Sequence, residues 1–421
     1  MRPRLPELLV LALLATAGAL VFVDSDPSDP PEPPAAEQAA APEVAPAPDP
    51  DDPHTWQTSD QVPGEIAPDL VPGQRVVLGR TKRYSYQPSP GVSVTAWDAR
   101  TQRGPVHYFV TRVNWTTPGL TIDYAHGKRV RRTQTVTEMI SGTPDVVAGI
   151  NGDFFDISDT GAPLGVGHEH GGRLWHAIDD GWNNALSVNT NGKWHVGELP
   201  MVAWVARHPE IVVTNYNSPR VKIGGTGIYD WRFGRAAGYG WTDRQRRQVR
   251  LVQIVDGKVV RNVDRLPDDV GIKGTFLIAR GDKAEDKLQA LRVGTSLRVR
   301  HRLDGPIAMA LTGNSLLLKK RQLLVSDDGE MHPRTAVGVD RDTKQLIFLV
   351  VDGRQDFSRG YTMWETAKML KRLGAEDALN LDGGGSTTLA AVRRGRLRVL
   401  NSPSDGAQRA VPNGLEVTYS P

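Results

Sequence analysis

A chain of 421 residues, 39% of them hydrophobic, is long enough for one large domain or two ordinary ones and can bury a real core, so a disordered whole is excluded. The absence of cysteine excludes disulfides, thiolate metal sites, a cysteine nucleophile and a lipid-modified N-terminal cysteine together. The formal net charge of +3 conceals a split: residues 24–53 hold nine acids and no Lys or Arg, so the chain from His54 onward carries +11.

Arg2 and Arg4 precede an apolar run from Leu8 to Val23, the pattern of an export signal, and Ala17-Gly18-Ala19 offers small residues for cleavage. Left uncut, the run would serve as an anchor, orientated by the two arginines on the cytoplasmic side. Residues 1–23 are therefore expected to be a signal peptide or signal anchor, with the body secreted or at the cell surface. Residues 24–53, with ten prolines, seven alanines and nine acids, cannot bury enough surface to offset the ordering of their backbone, and are expected to be a disordered spacer. The preference for 38 Arg over 13 Lys points, by composition alone, to a GC-rich bacterial genome.

From His54 the pattern predicts a strand-rich mixed sheet core with a few helices, an α+β or mixed α/β class. Lead-in strands are expected over 54–100 and the main folded body over 101–421. Residues 106–113, 211–216, 249–255, 275–279, 297–303 and 346–351 are β-branched or aromatic runs bounded by Gly, Pro, Asp or Asn. Thr135-x-x-Glu138 predicts a capped short helix, closed at Gly142 and Pro144, before a strand that runs into Asn151-Gly152-Asp153. His168-Glu169-His170 lacks the spacing of a zinc helix, and Gly171-Gly172 after it suggests a hairpin turn.

The strand 346–351 ends in Asp352-Gly353-Arg354. Thr362-x-x-Glu365 then caps a helix that Gly374 closes, and a second strand ends in Asp382-Gly383-Gly384-Gly385-Ser386. If the two strands are parallel neighbours this is a βαβ unit, with Asp352 and Asp382 at the carboxyl edge where α/β sheets bind ligands. The glycine triplet lets backbone amides approach a ligand closely. It is neither a P-loop nor a nucleophile elbow, because Gly-Lys-Ser/Thr and Gly-x-Ser-x-Gly are both missing.

Asn151-Gly-Asp-Phe-Phe155, Ala162-Pro-Leu-Gly165, Pro333-Arg-Thr-Ala-Val-Gly338, Val351-Asp-Gly-Arg354, the Thr362 helix with Glu365, the segment Leu373 to Thr388, and Asn401-Ser-Pro-Ser-Asp-Gly406 stand in one order over about residues 100–420. Together they resemble the phosphodiester glycosidase family. Two positions depart from it: Gln408 stands where Glu is frequent, and Thr312-Gly313-Asn314 where a Gly-Gly pair is common.

The resemblance implies hydrolysis at a sugar-1-phosphodiester or a related linkage of an envelope glycan. Asp153, Asp352, Asp382 and Glu365 are then the carboxylate candidates. Arg334 and Arg354 are natural binders of a phosphate leaving group, and Asn151, Gly383, Gly384, Gly385, Ser386 and Thr387 are further substrate contacts. The capping box also accounts for Glu365 without any chemistry.

No cofactor is required by this reading, and a structural Ca²⁺ would have only carboxylate-rich turns to hold it, since no EF-hand spacing is present. The basic body suits an anionic or phosphate-containing glycan rather than nucleic acid, and membrane contact is expected only through the N-terminal segment. The alternatives are a non-catalytic protein that binds exopolysaccharide or wall glycan, and a glycosidase for non-phosphorylated linkages.

Overall fold

The computed structural model describes residues 60–71 and 75–421. The predicted export segment and spacer lie outside the described residues. All six predicted strand runs form strands, Gly104–Asn114, Val213–Tyr216, Val249–Val255, Thr275–Arg280, Val299–Leu303 and Gln345–Val351.

Three large sheets carry the fold. The eight-stranded sheet is ordered Val77–Ser89, Val92–Thr101, Gly104–Asn114, Gln345–Val351, Arg334–Asp340, Asp377–Asn380, Ser315–Lys319 and Gln322–Leu323. The five-stranded sheet is ordered Arg396–Val399, Leu389–Arg393, Val146–Asn151, Asn413–Tyr419 and Leu120–His126. A ten-stranded sheet takes most of the segment between residues 167 and 312.

Phe109, Val337, Phe348, Val350 and Leu379 of the first sheet share one buried cluster with Ile150, Leu415 and Val417 of the second. Burying these side chains from both sheets is the main force holding the two together. No described helix is long and apolar enough to cross a membrane.

The predicted α/β class with a βαβ unit is corrected. The three described α-helices are Val136–Ser141, Asp282–Gln289 and Met363–Leu373, and the sheets around them are antiparallel almost throughout. Gln345–Val351 and Asp377–Asn380 do run the same way, but they are not neighbours: Arg334–Asp340 lies between them and pairs antiparallel with both. A continuous apolar run fits any strand covered on both faces, so it carries no information on the direction of its neighbour. The functional geometry survives the correction, because Asp352 and Asp382 still leave from the same edge, with Arg334 at the start of the strand between them.

The helix Met363–Leu373 forms as its sequence dictates. The Thr362 side chain accepts from the Glu365 amide, Glu365 reaches back to the Thr362 amide, and Gly374 ends the helix at φ 109°. Its Ala367 and Leu370 pack against Ala336 and Leu349 on the far face of the eight-stranded sheet. Thr362→Ala should lower stability by about 1 kcal/mol, read as a lower denaturant midpoint at unchanged slope.

Candidate active site

The site lies where strand ends of the first two sheets meet. Asn151, the last residue of Val146–Asn151, is fully buried and donates from Nδ2 to the Asp382 carbonyl (2.6 Å). Its Oδ1 accepts from the Thr335 hydroxyl (2.7 Å) and the Thr388 amide (3.0 Å). The Asp382 amide in turn donates to the Gly152 carbonyl (2.9 Å). These bonds join the two sheets and bring Asp153 and Asp382 into one buried neighbourhood. Asn151 is thus spent on holding the loops, and its side chain is not a wall of the cavity beside it.

That cavity, of about 150 Å³, is lined by Asp60, Phe154, Asn314, His332, Arg334, Arg354, Asp382, Gly383, Gly384 and Arg409. Its most informative feature is an anion held by cations. The Asp60 carboxylate accepts from Arg354 Nη1 (2.9 Å) and Arg409 Nη2 (2.8 Å), with the Gly385 amide at 3.5 Å. The two guanidinium groups hold the Asp60 carboxyl far below the usual carboxylate range against the opposing effect of its burial.

Gly384 adopts φ +56°, and a side chain at Gly385 would collide with the Arg409 guanidinium, so the triplet is needed here for its backbone. His332 Nδ1 accepts from Arg354 (3.2 Å), which leaves Nε2 to donate to Glu330 (3.3 Å).

Arg334 is buried and has no carboxylate within ion-pair distance among the described residues. It donates to the Tyr361 and Glu330 carbonyls (3.0 and 3.1 Å), and burial lowers it to about 10. Such a cation, desolvated and held only by neutral acceptors, is arranged to meet an anionic ligand.

The carboxyl pair is equally unusual. Burial pushes Asp382 up to about 7, against the Ser386 hydroxyl and the Arg409 charge, which favour the ionised form, and with the Asp60 charge adding to the rise. Asp153 is pushed well above the usual range by its burial, with the Asp382 charge adding to the rise and a hydrogen bond from the Gly165 amide (2.9 Å) opposing it. Behind Asp153 a relay fixes that amide. His176 Nδ1 donates to the Gly165 carbonyl (2.7 Å), so its Nε2 accepts from the Tyr124 hydroxyl (2.8 Å). Burial lowers His176 to about 3, which keeps the ring neutral.

Other predicted residues stand apart. Asp352 is fully buried and its oxygens are taken by His107 Nδ1 (2.8 Å), Asn401 Nδ2 (3.2 Å) and the Ser402 amide (2.8 Å). It fastens the 401–402 loop, whose Asn401 also donates to the Thr387 carbonyl (2.9 Å). Glu365 forms a two-point ion pair with Arg359 (2.7 and 2.9 Å) besides its capping bond, and lies outside the cavity. Ser386 and Thr387 are buried behind the glycine triplet. His168 and His170 flank a hairpin turn, with Gly171 and Gly172 at φ +91° and +83°. Among the described residues, Asp340, Asp342 and Glu376 place carboxylate oxygens within 4.8 Å of one another, but Arg321 and Arg341 already serve them.

Five lining residues have no counterpart among the predicted ones: Asp60, Phe154, Asn314, His332 and Arg409. Arg409 follows the Asn401–Gly406 motif, and His332 immediately precedes Pro333-Arg334, so both were within reach of the pattern. Asp60 has no local signal, since its partner Arg354 is 294 residues away.

Residues 237–418 match the family model described as phosphodiester glycosidase. N-acetylglucosamine-1-phosphodiester alpha-N-acetylglucosaminidase of Mus musculus is 45% identical over 78 residues, 18% of this chain and 14% of that protein. The same enzyme of Bos taurus is 47% identical over 75 residues, 18% of this chain and 13% of that protein. The resemblance to the phosphodiester glycosidase family is shown. The matched segments thus span well under a fifth of these relatives' own length. In fold, the chain is similar to a hypothetical protein from Synechocystis (TM-score 0.65, 20% identity, covering 79% of this chain and 63% of that one). It is also similar to a Burkholderia pseudomallei K96243 protein described as exported (TM-score 0.64, 17% identity, covering 84% and 99%).

A carboxyl raised from 3.8 to about 7 by folding costs the folded state nothing below pH 3.8, progressively more up to pH 7 and the full penalty above. Asp382→Asn should therefore stabilise the fold at pH 8, by up to about 1.4 kcal/mol for each unit of that rise, and leave it unchanged at pH 4. Melting temperatures of both forms across this range check the sign.

Proposed function

We propose that the protein is an extracytoplasmic glycosidase that hydrolyses a sugar-1-phosphodiester or a related phosphate-bearing linkage in an envelope glycan. The observation that carries the reading is the Asp60 carboxylate held between Arg354 and Arg409, one wall away from a carboxyl of pKa about 7. An anion therefore has a built place beside Asp382, and guanidinium forks match phosphate oxygens as well as they match carboxylate. On this reading Asp60 occupies the position of the substrate phosphate and must leave it for substrate to bind. The family resemblance supports the linkage, and the N-terminal export pattern supports the location.

Asp382 acts as the base. Its pKa suits proton removal near neutral pH, whereas a nucleophile gains from a low one. Asp382 takes a proton from water as the water oxygen bonds to the anomeric carbon. The bond from that carbon to the phosphate oxygen breaks, and its electron pair leaves with the phosphate. Arg354, Arg409 and Arg334 stabilise the charge that develops there, so no proton donor to the leaving group is needed. Asp153, buried and held by the Gly165 amide, is a positioning residue.

The test is release of free sugar from defined sugar-1-phosphodiesters by the full chain. Asp382→Asn should lower kcat by about 10²–10⁴-fold, and kcat/KM of the wild type should rise with pH to a plateau above pH 7. Proton NMR of the first product should show inversion at the anomeric carbon. Asp60→Asn, by removing the competing anion, should lower KM, whereas a raised KM and reduced kcat would show that Asp60 serves the chemistry itself. Tight binding of wall glycans without turnover of any phosphodiester or ordinary glycoside would favour the non-catalytic alternative.

A further inference from the structure

A second cavity, of about 440 Å³, shares no lining residue with the Asp382 cavity. It lies between the hairpin of Gly167–Glu169 and Arg173–Ile178, the strand Val213–Tyr216 and the strand Val299–Leu303. Its volume is within the range of small-ligand sites.

Its lining combines two kinds of surface. One is aromatic and apolar: Tyr216 and His301 stack at 4.0 Å and 26°, beside Leu303. The other is cationic: Arg173, Arg232 and Arg302 all line the cavity, and no Asp or Glu does. The carboxylates nearest these arginines, Glu169, Asp230 and Asp304, lie outside the lining, and each guanidinium has donors beyond the one it gives them.

Arg232 connects the cavity to the outer surface. It donates from Nη1 to the Tyr216 hydroxyl (3.2 Å), and its guanidinium also lies 5.0 Å from the ring of Trp231. Trp231 is 46% exposed, and Arg129 lies 4.8 Å from the same ring. A large exposed aromatic beside a polar cavity marks a binding surface more readily than a folding requirement.

We propose that this cavity is a second saccharide site, for a sugar bearing a phosphate or carboxylate group. The arginine forks take the anion, and the ring and aliphatic surfaces take the apolar face of the sugar. A site of this kind on a glycan-processing chain would hold a polymer away from the bond being cut and raise its effective concentration at the Asp382 cavity. The binding claim stands independently of the hydrolysis proposed above.

The experiment is calorimetric titration of the full chain with glucose 1-phosphate, glucuronate and glucose. Arg173 and Arg302 are more than half exposed, so the double substitution Arg173→Ala/Arg302→Ala leaves the fold intact. It should weaken glucose 1-phosphate binding at least tenfold while turnover of a small phosphodiester stays unchanged. Trp231→Ala should weaken the same event. Binding of glucose 1-phosphate alone assigns phosphate as the anion, and binding of glucuronate as well assigns either anion. Equal affinity for glucose, unchanged affinity in the double variant, or no binding by the wild type would overturn the proposal.

Discussion

One buried carboxamide governs the geometry of the site. Asn151 ends a strand of the five-stranded sheet, yet its side chain bonds to the Asp382 carbonyl, the Thr335 hydroxyl and the Thr388 amide, which belong to the eight-stranded sheet and the loop leaving it. A fully buried amide must satisfy both its donors and its acceptor within the protein, so any shift of one sheet edge against the other would leave polar groups unpaired. The apolar interface supplies the attraction between the sheets, and the carboxamide supplies the register. Asp153 and Asp382 follow from that register, because each stands within two residues of a bond it makes.

The same junction explains why the carboxyls are costly to the fold. Two acids are buried at this junction, with an ionised Asp60 and two guanidinium groups at the open side. Removing the charge from Asp382 would stabilise the protein, and retention of such groups is the mark of a site whose chemistry needs them. Asp352 shows the contrast. It too follows a buried strand and precedes a glycine, but three hydrogen bonds from His107, Asn401 and Ser402 satisfy it completely. One local sequence pattern therefore serves two purposes, a reactive acid in one place and a loop fastener in the other.

Much of this was legible before the structure. The Thr362 capping box, the Gly374 stop, the six strand runs and the glycine triplet after Asp382 are local features, and local chemistry decides them. The pairing of Gln345–Val351 was not legible, because the strand that separates it from Asp377–Asn380, Arg334–Asp340, is buried without being a continuous apolar run and comes earlier in the chain. Nor could the residues alone distinguish Asp352 from Asp382, since the difference lies in the partners that folding brings to each. Asp60 was hidden for the same reason. It follows an acidic stretch without any mark of its own, and its role comes from arginines some three hundred residues later.

Burial at the Asn151 junction, more than any single partner, sets the reactivity of Asp382. Carbon-13 NMR of aspartate carboxyl groups, assigned by comparison with Asp382→Asn and followed from pH 3 to 9, tests it most directly. An Asp382 resonance that titrates near pH 7 is the expected result. An Asp382 carboxyl that titrates near pH 4, as an exposed aspartate does, would contradict it.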